Sequence, residues 1–392
     1  MSENINILDF LNFEIVFTGM IHCGFGPSHL RNFLMECNLP PMSETTIQKI
    51  QKKIGQTIID CAVQSCKEAR QEEIDLSPEK VQVSFDAGWQ KRGSGFNYNS
   101  NTGHASLIGK KTGKVLAVNI RSKVCKICDT FTVQHPNETV PYHDCSRNWS
   151  GSSTAMEVDM ALNLLGEMEK EGCHVDIFHA DNDSSTSGML KSEFPNTVKM
   201  DDQNHVKKGF TKQLYELGKR YKELKQAEVI PYIQRCFVYA IQSNAGNSTK
   251  IHEDLDRIVP HIFGDHNKCR TAQWCTYNEN PSSFRYKSLP GGRPLQSEDL
   301  KKELEDLVSK YKNRAENLSQ LGSTQANESF NNLVATKAPK SRYSFFIWLK
   351  KFILNQRNIK IIKMKKSHNK KLCYKHLILK NDKLYYLLFY NL

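Results

Sequence analysis

The chain has 392 residues, 39% of them hydrophobic and 24% charged, a balance typical of a globular protein with roughly two to three domains. No run of about 18 apolar residues is present, and the first ten residues, MSENINILDF, lack the basic segment of a signal peptide, so we expect neither a membrane span nor a leader. The net charge is +12, but the region before Ser341 holds 41 basic and 41 acidic side chains. Overall charge therefore does not establish nucleic-acid binding.

Residues 1–78 are predicted to be helical. A short helix is expected before a Pro-Pro break, and a long helix is expected to start near Ser43. Ser43 is a suitable N-cap, and the spacing of Ile47, Ile50 and Ile54 is that of an amphipathic helix.

Residues 79–205 alternate between strand and helix patterns, with an interruption at about 121–147. KVQVSFDAG predicts a strand, and HASLIGKKTGKVLAVNIRSKVC predicts a hairpin with its turn at Lys111-Thr112-Gly113. The elements expected next are a helix (Ser153–Glu171), a buried strand (Cys173–Ala180), a helix (Ser184–Phe194) and a strand near Val198.

The remaining chain is predicted to be mostly helical up to residue 341. A helical and Cys/His-rich insertion spans 206–310, and a charged helix is expected over Ser297–Glu316. Residues 311–341 close the fold with a helix in STQANESFNNLVATKAPK, capped by Ser323 or Thr324. Residues 342–392 are basic and lack Gly and Pro; we interpret them as a non-native or disordered tail, the alternative being a basic arm for nucleic acid or membrane.

This order of elements predicts an α/β fold, with a mixed sheet flanked by helices. Asp86 ends the first strand, Asp181 follows the fourth, and Glu328 lies on the closing helix. If the first and fourth strands are neighbours, these carboxylates meet at one edge of the sheet. Three carboxylates in one place need a compensating cation, and hard oxygen ligands suit Mg²⁺ or Mn²⁺ in two-metal phosphoryl transfer. Asp183 is an alternative for the second position, although it could serve as a helix cap instead.

Two groups of Cys and His side chains have metal-ligand spacing. CKICD…YHDC predicts a structural zinc site within the interruption, with the ligands Cys125, Cys128, His143 and Cys145. HIFGDHNKCRTAQWC offers a second set at looser spacing: His261, His266, Cys269 and Cys275. Twelve cysteines without a secretory signal favour metal binding over disulfides, while scattered buried thiols remain the alternative.

Two further side chains are candidates for an accessory role at the carboxylates. His205, in DDQNHVKKG, either starts a helix or contributes near the carboxylates. Asn331 lies one helical turn from Glu328, where its amide could hydrogen-bond the cluster or a phosphate.

These motifs, in this order, resemble the Mutator-like transposase domain of invertebrate transposon-derived proteins. The resemblance runs from about Gly24 to Arg342, with VSFDAGWQKRGSG, CKICD…HDCSRNWSGSS, ADNDSST, HIFGDHNKC and STQANESFNN as its main segments. It implies an RNase H-like fold in which a zinc knuckle and a long helical insertion interrupt the core. It also implies a catalytic triad of Asp86, Asp181 and Glu328.

The resemblance further implies Mg²⁺-dependent DNA cleavage and strand transfer, transposon-end and target DNA as partners, a homo-oligomer, and work in the nucleus. No separate N-terminal DNA-binding module is seen, so a truncated or domesticated copy is expected. Two alternatives stay open: a catalytically inactive DNA-binding or chromatin protein, and a related RNase H-like nuclease.

Overall fold

A computed structural model describes the chain over seven ranges. These are residues 19–20, 23–89, 99–181, 184–272, 274–337, 375–380 and 383–388. For 51–52, 337, 375–380 and 383–388 it describes the backbone alone.

Among these residues, five strands form one mixed sheet. They are β1 (Gln82–Trp89), β2 (Thr102–Gly109), β3 (Val115–Ser122), β4 (Ile177–Ala180) and β5 (Val198–Asp201). Their order across the sheet is β3-β2-β1-β4-β5. The first three strands are antiparallel neighbours, whereas β4 runs parallel to both β1 and β5. The expectation that the first and fourth strands are neighbours is therefore confirmed, and so is the mixed α/β class.

The helices alternate with these strands and then dominate the chain. They are α1 (Pro27–Glu36), α2 (Glu44–Leu76), α3 (Lys126–Gln134), α4 (Ser153–Lys170), α5 (Ser184–Glu193), α6 (Gln203–Arg220), α7 (Val229–Gln242), α8 (Ser248–Ile262), α9 (Glu298–Lys312), α10 (Ala315–Leu318) and α11 (Gln325–Lys337). Three 3₁₀ turns complete the helical segments, at Lys222–Lys225, Asn267–Thr271 and Pro290–Gly292. No helix in the described part of the chain is both long and apolar enough to cross a membrane.

Both faces of the sheet are covered by helices. Phe85, Leu107 and Phe178 pack on one face with the buried side of α4. On the other face, Ile108 packs with residues of α1, α2 and α11, including Phe330. Helices α6 to α10 surround a separate apolar cluster, which accounts for the long helical segment that follows β5.

Local polar contacts explain where several elements begin. The Ser43 hydroxyl accepts a hydrogen bond from the backbone N–H of Thr46 at 3.1 Å, so α2 begins where its cap was predicted. The turn between β2 and β3 is held by the fully buried Glu73, whose carboxylate accepts the backbone N–H groups of Lys111 and Thr112 at 2.9 and 2.8 Å. This hairpin therefore depends on a charge supplied by α2.

Several predicted elements differ from the structure. The strand expected over Cys173–Ala180 is confined to Ile177–Ala180: Cys173 and Val175 are buried in a loop, and the Asp176 carboxylate accepts the backbone N–H of Val81 at 2.7 Å. Residues buried in this loop are apolar like those of a buried strand, so the sequence pattern did not locate the start of β4.

The helix expected over Ser297–Glu316 is divided into α9 and α10. The break comes at Asn313 and Arg314, where the Arg314 guanidinium pairs with the buried Asp201 carboxylate. Within 342–392 the structure shows two antiparallel strands, β6 (Lys375–Lys380) and β7 (Lys383–Leu388), where no regular element was predicted.

Candidate active site and metal centres

Asp181 directly follows β4, as predicted, whereas Asp86 does not end the first strand: β1 continues to Trp89 because the residues after Asp86 stay paired with β2. The pairing of β1 with β4 sets Gln82 opposite Ile177 and Ser84 opposite His179. Two residues further along the same register are Asp86 and Asp181. The carboxylate of Asp181 raises the pKa of Asp86, so the two groups also interact electrostatically. The alternative second carboxylate, Asp183, lies outside the described residues.

Helix α11 carries Glu328 and is fixed to the sheet by the residue before it. The side chain of Asn327 is fully buried and donates hydrogen bonds to the carbonyl oxygens of Ser84 and Ser106 at 3.1 and 2.8 Å. Phe330 and Val334 are buried against the sheet one and two turns later. These contacts fix the first turns of α11, and Glu328 with them, against β1 and β2.

His205 connects Asp181 with Glu328. Its Nδ1 lies 2.8 Å from Asp181 Oδ2, and its Nε2 lies 3.5 Å from Glu328 Oε1. The hydrogen bond to Asp181, with a further contribution from Glu328, raises the pKa of His205 to about 9. At neutral pH this side chain is an imidazolium ion placed between two carboxylates. Lys208 adds a second positive charge, with its Nζ 3.7 Å from Glu328 Oε1.

Asp86 is held by a chain of polar contacts from α11 and β2. Asn331 donates from Nδ2 to Asp86 Oδ2 at 2.9 Å, and its Oδ1 lies 3.0 Å from His104 Nε2. Burial raises the pKa of Asp86 to about 7, and the carboxylates of Asp181 and Glu157 add to this shift. Asn331 therefore contacts one of the three carboxylates, and its accessory role stays a prediction.

Sequence reasoning missed two of these participants, Glu157 and His104. Glu157 lies in the first turns of α4, where it follows an apolar residue with no recognisable motif. His104 had an indirect signal in Gly88, its partner across β1 and β2. A Cβ at position 88 would lie 2.3 Å from the His104 ring, so only glycine lets that ring cover the strand beside Asp86.

Asp86, Asp181 and Glu328 do not form a tight ligand cluster. Among the described residues, two sets of His, Cys, Asp or Glu side chains bring at least three ligand atoms within 4.8 Å of one another, and both are Cys/His sets. In the structure as it stands, the positive charge between Asp181 and Glu328 comes from His205.

The first Cys/His set has the geometry of a closed tetrahedral site. His143 Nε2 lies 3.3 Å from the sulfurs of both Cys125 and Cys128, and Cys128 Sγ lies 3.5 Å from Cys145 Sγ. Zinc bound to such ligands at about 2.0–2.3 Å separates them by roughly 3.5–3.8 Å. His143 Nδ1 lies 2.8 Å from the Pro141 carbonyl oxygen, so it carries the proton and leaves Nε2 free to bind metal.

The protein backbone also prepares this site. Cys125 precedes α3, a helix that was not predicted within the polar interruption. Burial opposes ionisation of the Cys125 thiol, but backbone hydrogen bonds from Cys128 and Ser146 outweigh it and lower the pKa to about 5. A thiolate is the form that binds metal.

The second Cys/His set is entirely buried. His261 Nδ1 lies 3.6 Å from the sulfurs of both Cys269 and Cys275, and His266 Nδ1 lies 3.4 Å from Cys275 Sγ. All four predicted ligands therefore come together, in spite of their loose spacing in the sequence. The set lies where α8 ends and the following 3₁₀ turn begins.

Two tyrosines orient the imidazoles of this second set. The Tyr286 hydroxyl donates to the His261 carbonyl oxygen at 2.6 Å, so it must accept the proton of His266 Nε2 at 2.8 Å. The hydroxyl of Tyr232 lies 2.9 Å from His261 Nε2. Burial lowers the pKa of His261 to about 4 and lowers that of His266 as well. Neutral rings that present Nδ1 to two thiols are suited to zinc, so both Cys/His sets could bind it.

Comparison with known families gives one match. A family model described as Mutator-like transposase matches residues 11–275, which include Asp86, Asp181 and both Cys/His sets but end before Glu328. A comparison with curated proteins finds no match. Because the family match covers more than half of the 392 residues, the chain belongs to the Mutator-like transposase family.

Proposed function

We propose that this protein is a DNA-cleaving and strand-joining enzyme of the RNase H-like class, with Asp86, Asp181 and Glu328 as its catalytic carboxylates. The observation that carries the proposal is the bridge made by His205, which contacts both Asp181 and Glu328 although 147 positions separate the two acids in the sequence. Family membership supports DNA as the substrate. The strand order, with three antiparallel strands followed by two parallel ones, supports the fold class.

The side chains at this site fit a divalent cation of the hard type. All three acids offer carboxylate oxygens, the donors that Mg²⁺ and Mn²⁺ prefer. Burial, with added repulsion from the carboxylates of Asp181 and Glu157, raises the pKa of Asp86, and a cation bound beside this carboxylate would offset both effects. Bound at these oxygens, Mg²⁺ or Mn²⁺ would activate water or a 3′-hydroxyl and stabilise the leaving oxygen.

The chain's own residues would prepare the site for that cation. Asn331 holds the Asp86 carboxylate in one orientation through its amide N–H. His205 keeps Asp181 and Glu328 from separating by mutual repulsion, and its exposed position allows it to move aside when a cation takes over the charge. We assign zinc to the two Cys/His sets as a structural metal, since each set is a closed group of four protein ligands.

The proposal is tested by neutralising each carboxylate at nearly constant shape. Asp86→Asn, Asp181→Asn and Glu328→Gln are each expected to lower Mg²⁺- or Mn²⁺-dependent nicking of supercoiled DNA by at least 100-fold, on the order of the loss of one strong transition-state contact. Glu316→Gln removes an exposed acid from α10 and is the matched control, with activity unchanged. Full activity in Asp181→Asn would show that the second carboxylate is assigned wrongly.

An inactive DNA-binding derivative is the second candidate. The observation favouring it is that His205 and Lys208 already neutralise Glu328, while the carboxylates do not form a tight ligand cluster. Titration with Mn²⁺, followed by electron paramagnetic resonance, separates the two. Binding that Asp86→Asn abolishes supports the enzyme, and absence of binding to the wild type supports the derivative. In either case we propose a nuclear protein, since its substrate is DNA, and a homo-oligomer, which sedimentation would test.

A further inference from the structure

The exposed face of α6 carries two lysines next to the carboxylate site. Lys208 and Lys212 are spaced i and i+4, so they lie on one face of the helix, and Lys208 Nζ lies 3.7 Å from Glu328 Oε1. The opposite face is buried and includes Phe210 and Leu214. Because an α-helix rises about 1.5 Å per residue, Lys208 and Lys212 lie about 6 Å apart along its axis.

Little in the protein balances this charge. The first two-thirds of α6 contain Lys207, Lys208 and Lys212 and no acidic residue; the first acid is Glu216. Within the described residues, Lys212 forms no ion pair: Glu216 attracts it one turn later but makes its close contact with Lys219. The contact of Lys208 with Glu328 at 3.7 Å is exposed. Exposed pairs of this kind contribute little to stability, so a phosphate can compete for the ammonium group.

Further along the helix the charge is neutralised. Lys219 lies on the same face, but its Nζ is 2.6 Å from Glu216 Oε2. The unbalanced part of the face therefore covers about two helical turns directly next to His205 and Glu328. A charged surface that begins at a phosphoryl-transfer site is complementary to the backbone of a nucleic acid entering that site.

We infer that a DNA strand entering the carboxylate site runs along α6 and that Lys208 and Lys212 contact its backbone phosphates. This inference rests on the proposed function for its substrate, and it adds the path by which that substrate approaches. One strand of DNA rises about 3.4 Å per nucleotide along the duplex axis, and its spiral path makes the distance between successive phosphates longer, so two lysines roughly 6 Å apart suit neighbouring phosphates of one strand. Lys208, next to Glu328, contacts the phosphate nearer to the reacting bond.

The salt dependence of DNA binding tests this path. Each phosphate contact makes the slope of log K against log salt more negative by about 0.9, and a lysine replaced by glutamine removes one contact. Fluorescence anisotropy with a labelled 30-base-pair duplex, from 50 to 200 mM salt without Mg²⁺ or Mn²⁺, is expected to show a slope less negative by about 0.9 for Lys208→Gln and for Lys212→Gln. The double variant should lose about twice as much, and the Lys208→Arg and Lys212→Arg variants should keep the wild-type slope.

Lys219→Gln is the matched control because it makes the same change in net charge on the same helix face. An equal effect in this control would show that overall charge alone matters, and no effect of Lys208→Gln or Lys212→Gln would show that DNA takes another route. A wild type that does not bind the duplex also overturns the inference. A parallel nicking assay separates the DNA path from the enzymatic function. If the wild type nicks DNA but the lysine variants keep the wild-type slope, the path alone is refuted. If the lysine variants show the expected slopes but the wild type does not nick DNA, the enzymatic function alone is refuted.

Discussion

Asp202 is the residue whose replacement should disturb the candidate active site most without touching its carboxylates. It is 1% exposed and precedes α6 as its N-cap, where its Oδ1 accepts the backbone N–H of His205 at 2.7 Å. Its Oδ2 accepts the backbone N–H of Thr324 at 2.5 Å and the Thr324 hydroxyl at 3.1 Å. The Thr324 carbonyl in turn accepts the backbone N–H of Glu328. One carboxylate thus fixes the starts of both helices that carry His205 and Glu328.

The cost of Asp202→Ala follows from these contacts. Loss of an N-cap costs about 1 kcal/mol, and leaving the buried donors of Thr324 without an acceptor costs a further 1–3 kcal/mol or so. We therefore expect a loss of about 2–4 kcal/mol in the free energy of unfolding, measured by urea denaturation. Asp202→Asn keeps one acceptor oxygen and should fall between Asp202→Ala and the wild type. Mg²⁺-dependent nicking should fall in both variants, because His205 and Glu328 lose their common support.

Ser297 offers a matched control, since its hydroxyl caps α9 by accepting the backbone N–H of Leu300 and lies away from the carboxylates. Ser297→Ala should cost about 1 kcal/mol and leave nicking unchanged. If Asp202→Ala costs no more than Ser297→Ala, the two helices are not joined through this carboxylate. If its nicking activity matches that of the wild type at a temperature where both are folded, Asp202 does not position the site.

Three further outcomes are expected. Removing zinc with a strong chelator should lower the unfolding temperature. The Cys275→Ser variant should also unfold at a lower temperature and should bind one zinc ion fewer, measured by mass spectrometry. Cys37 is exposed and belongs to neither Cys/His set, so Cys37→Ser should change neither the unfolding temperature nor the zinc content. Gly322→Ala would place a Cβ 1.9 Å from His179 Nδ1, so we expect it to destabilise the protein by about 2 kcal/mol or more in urea, with a smaller loss when combined with His179→Ala. Burial lowers the pKa of His179 to about 4, so between pH 6.5 and 4 this side chain binds a proton in the unfolded chain but not in the native one. It contributes a loss of about 2 kcal/mol in stability from pH 7 to pH 5, opposite in sign to the contribution of Asp86, and the difference in stability between His179→Gln and the wild type should shift by that amount over this range.

The sequence predicted those parts of the site that depend on local pattern. Alternating apolar residues located β1, and a short apolar run ending in an acid located the end of β4, so Asp86 and Asp181 could be paired from the strand order alone. The ligands Cys125 and Cys128 were found in the same way, because a C-x₂-C knuckle is a local signal. In each case the residues close in space are close in sequence or follow from the order of the strands.

Contacts between distant helices could not be predicted in this way. That His205 reaches both Asp181 and Glu328 depends on where α6 and α11 meet, which is set by the buried carboxylate of Asp202. Asp202 carries no motif that separates it from an ordinary helix cap. Glu157, on α4, also raises the pKa of Asp86. Its role could not be predicted, because a single acidic residue near the start of an amphipathic helix does not indicate a functional site.

The charge balance at Asp86 bears on whether the site still has a use. Burial raises the pKa of Asp86 to about 7, so the folded protein holds the proton of this carboxyl more tightly than the unfolded chain does. The protonated carboxyl favours the folded state at low pH, and this contribution is lost as the pH rises through 7, because the folded state then has to hold the ionised form. Asparagine at this position could still accept the hydrogen bond from Asn331, and it would carry no charge to be repelled by Asp181. Structure alone would therefore favour asparagine above pH 7, so the Asp86→Asn variant of the nicking test should unfold at a higher temperature than the wild type at pH 8. An aspartate that makes the protein less stable than asparagine would is typical of a position where the carboxylate is needed for chemistry. An Asp86→Asn variant that is less stable than the wild type at pH 8 would refute this argument.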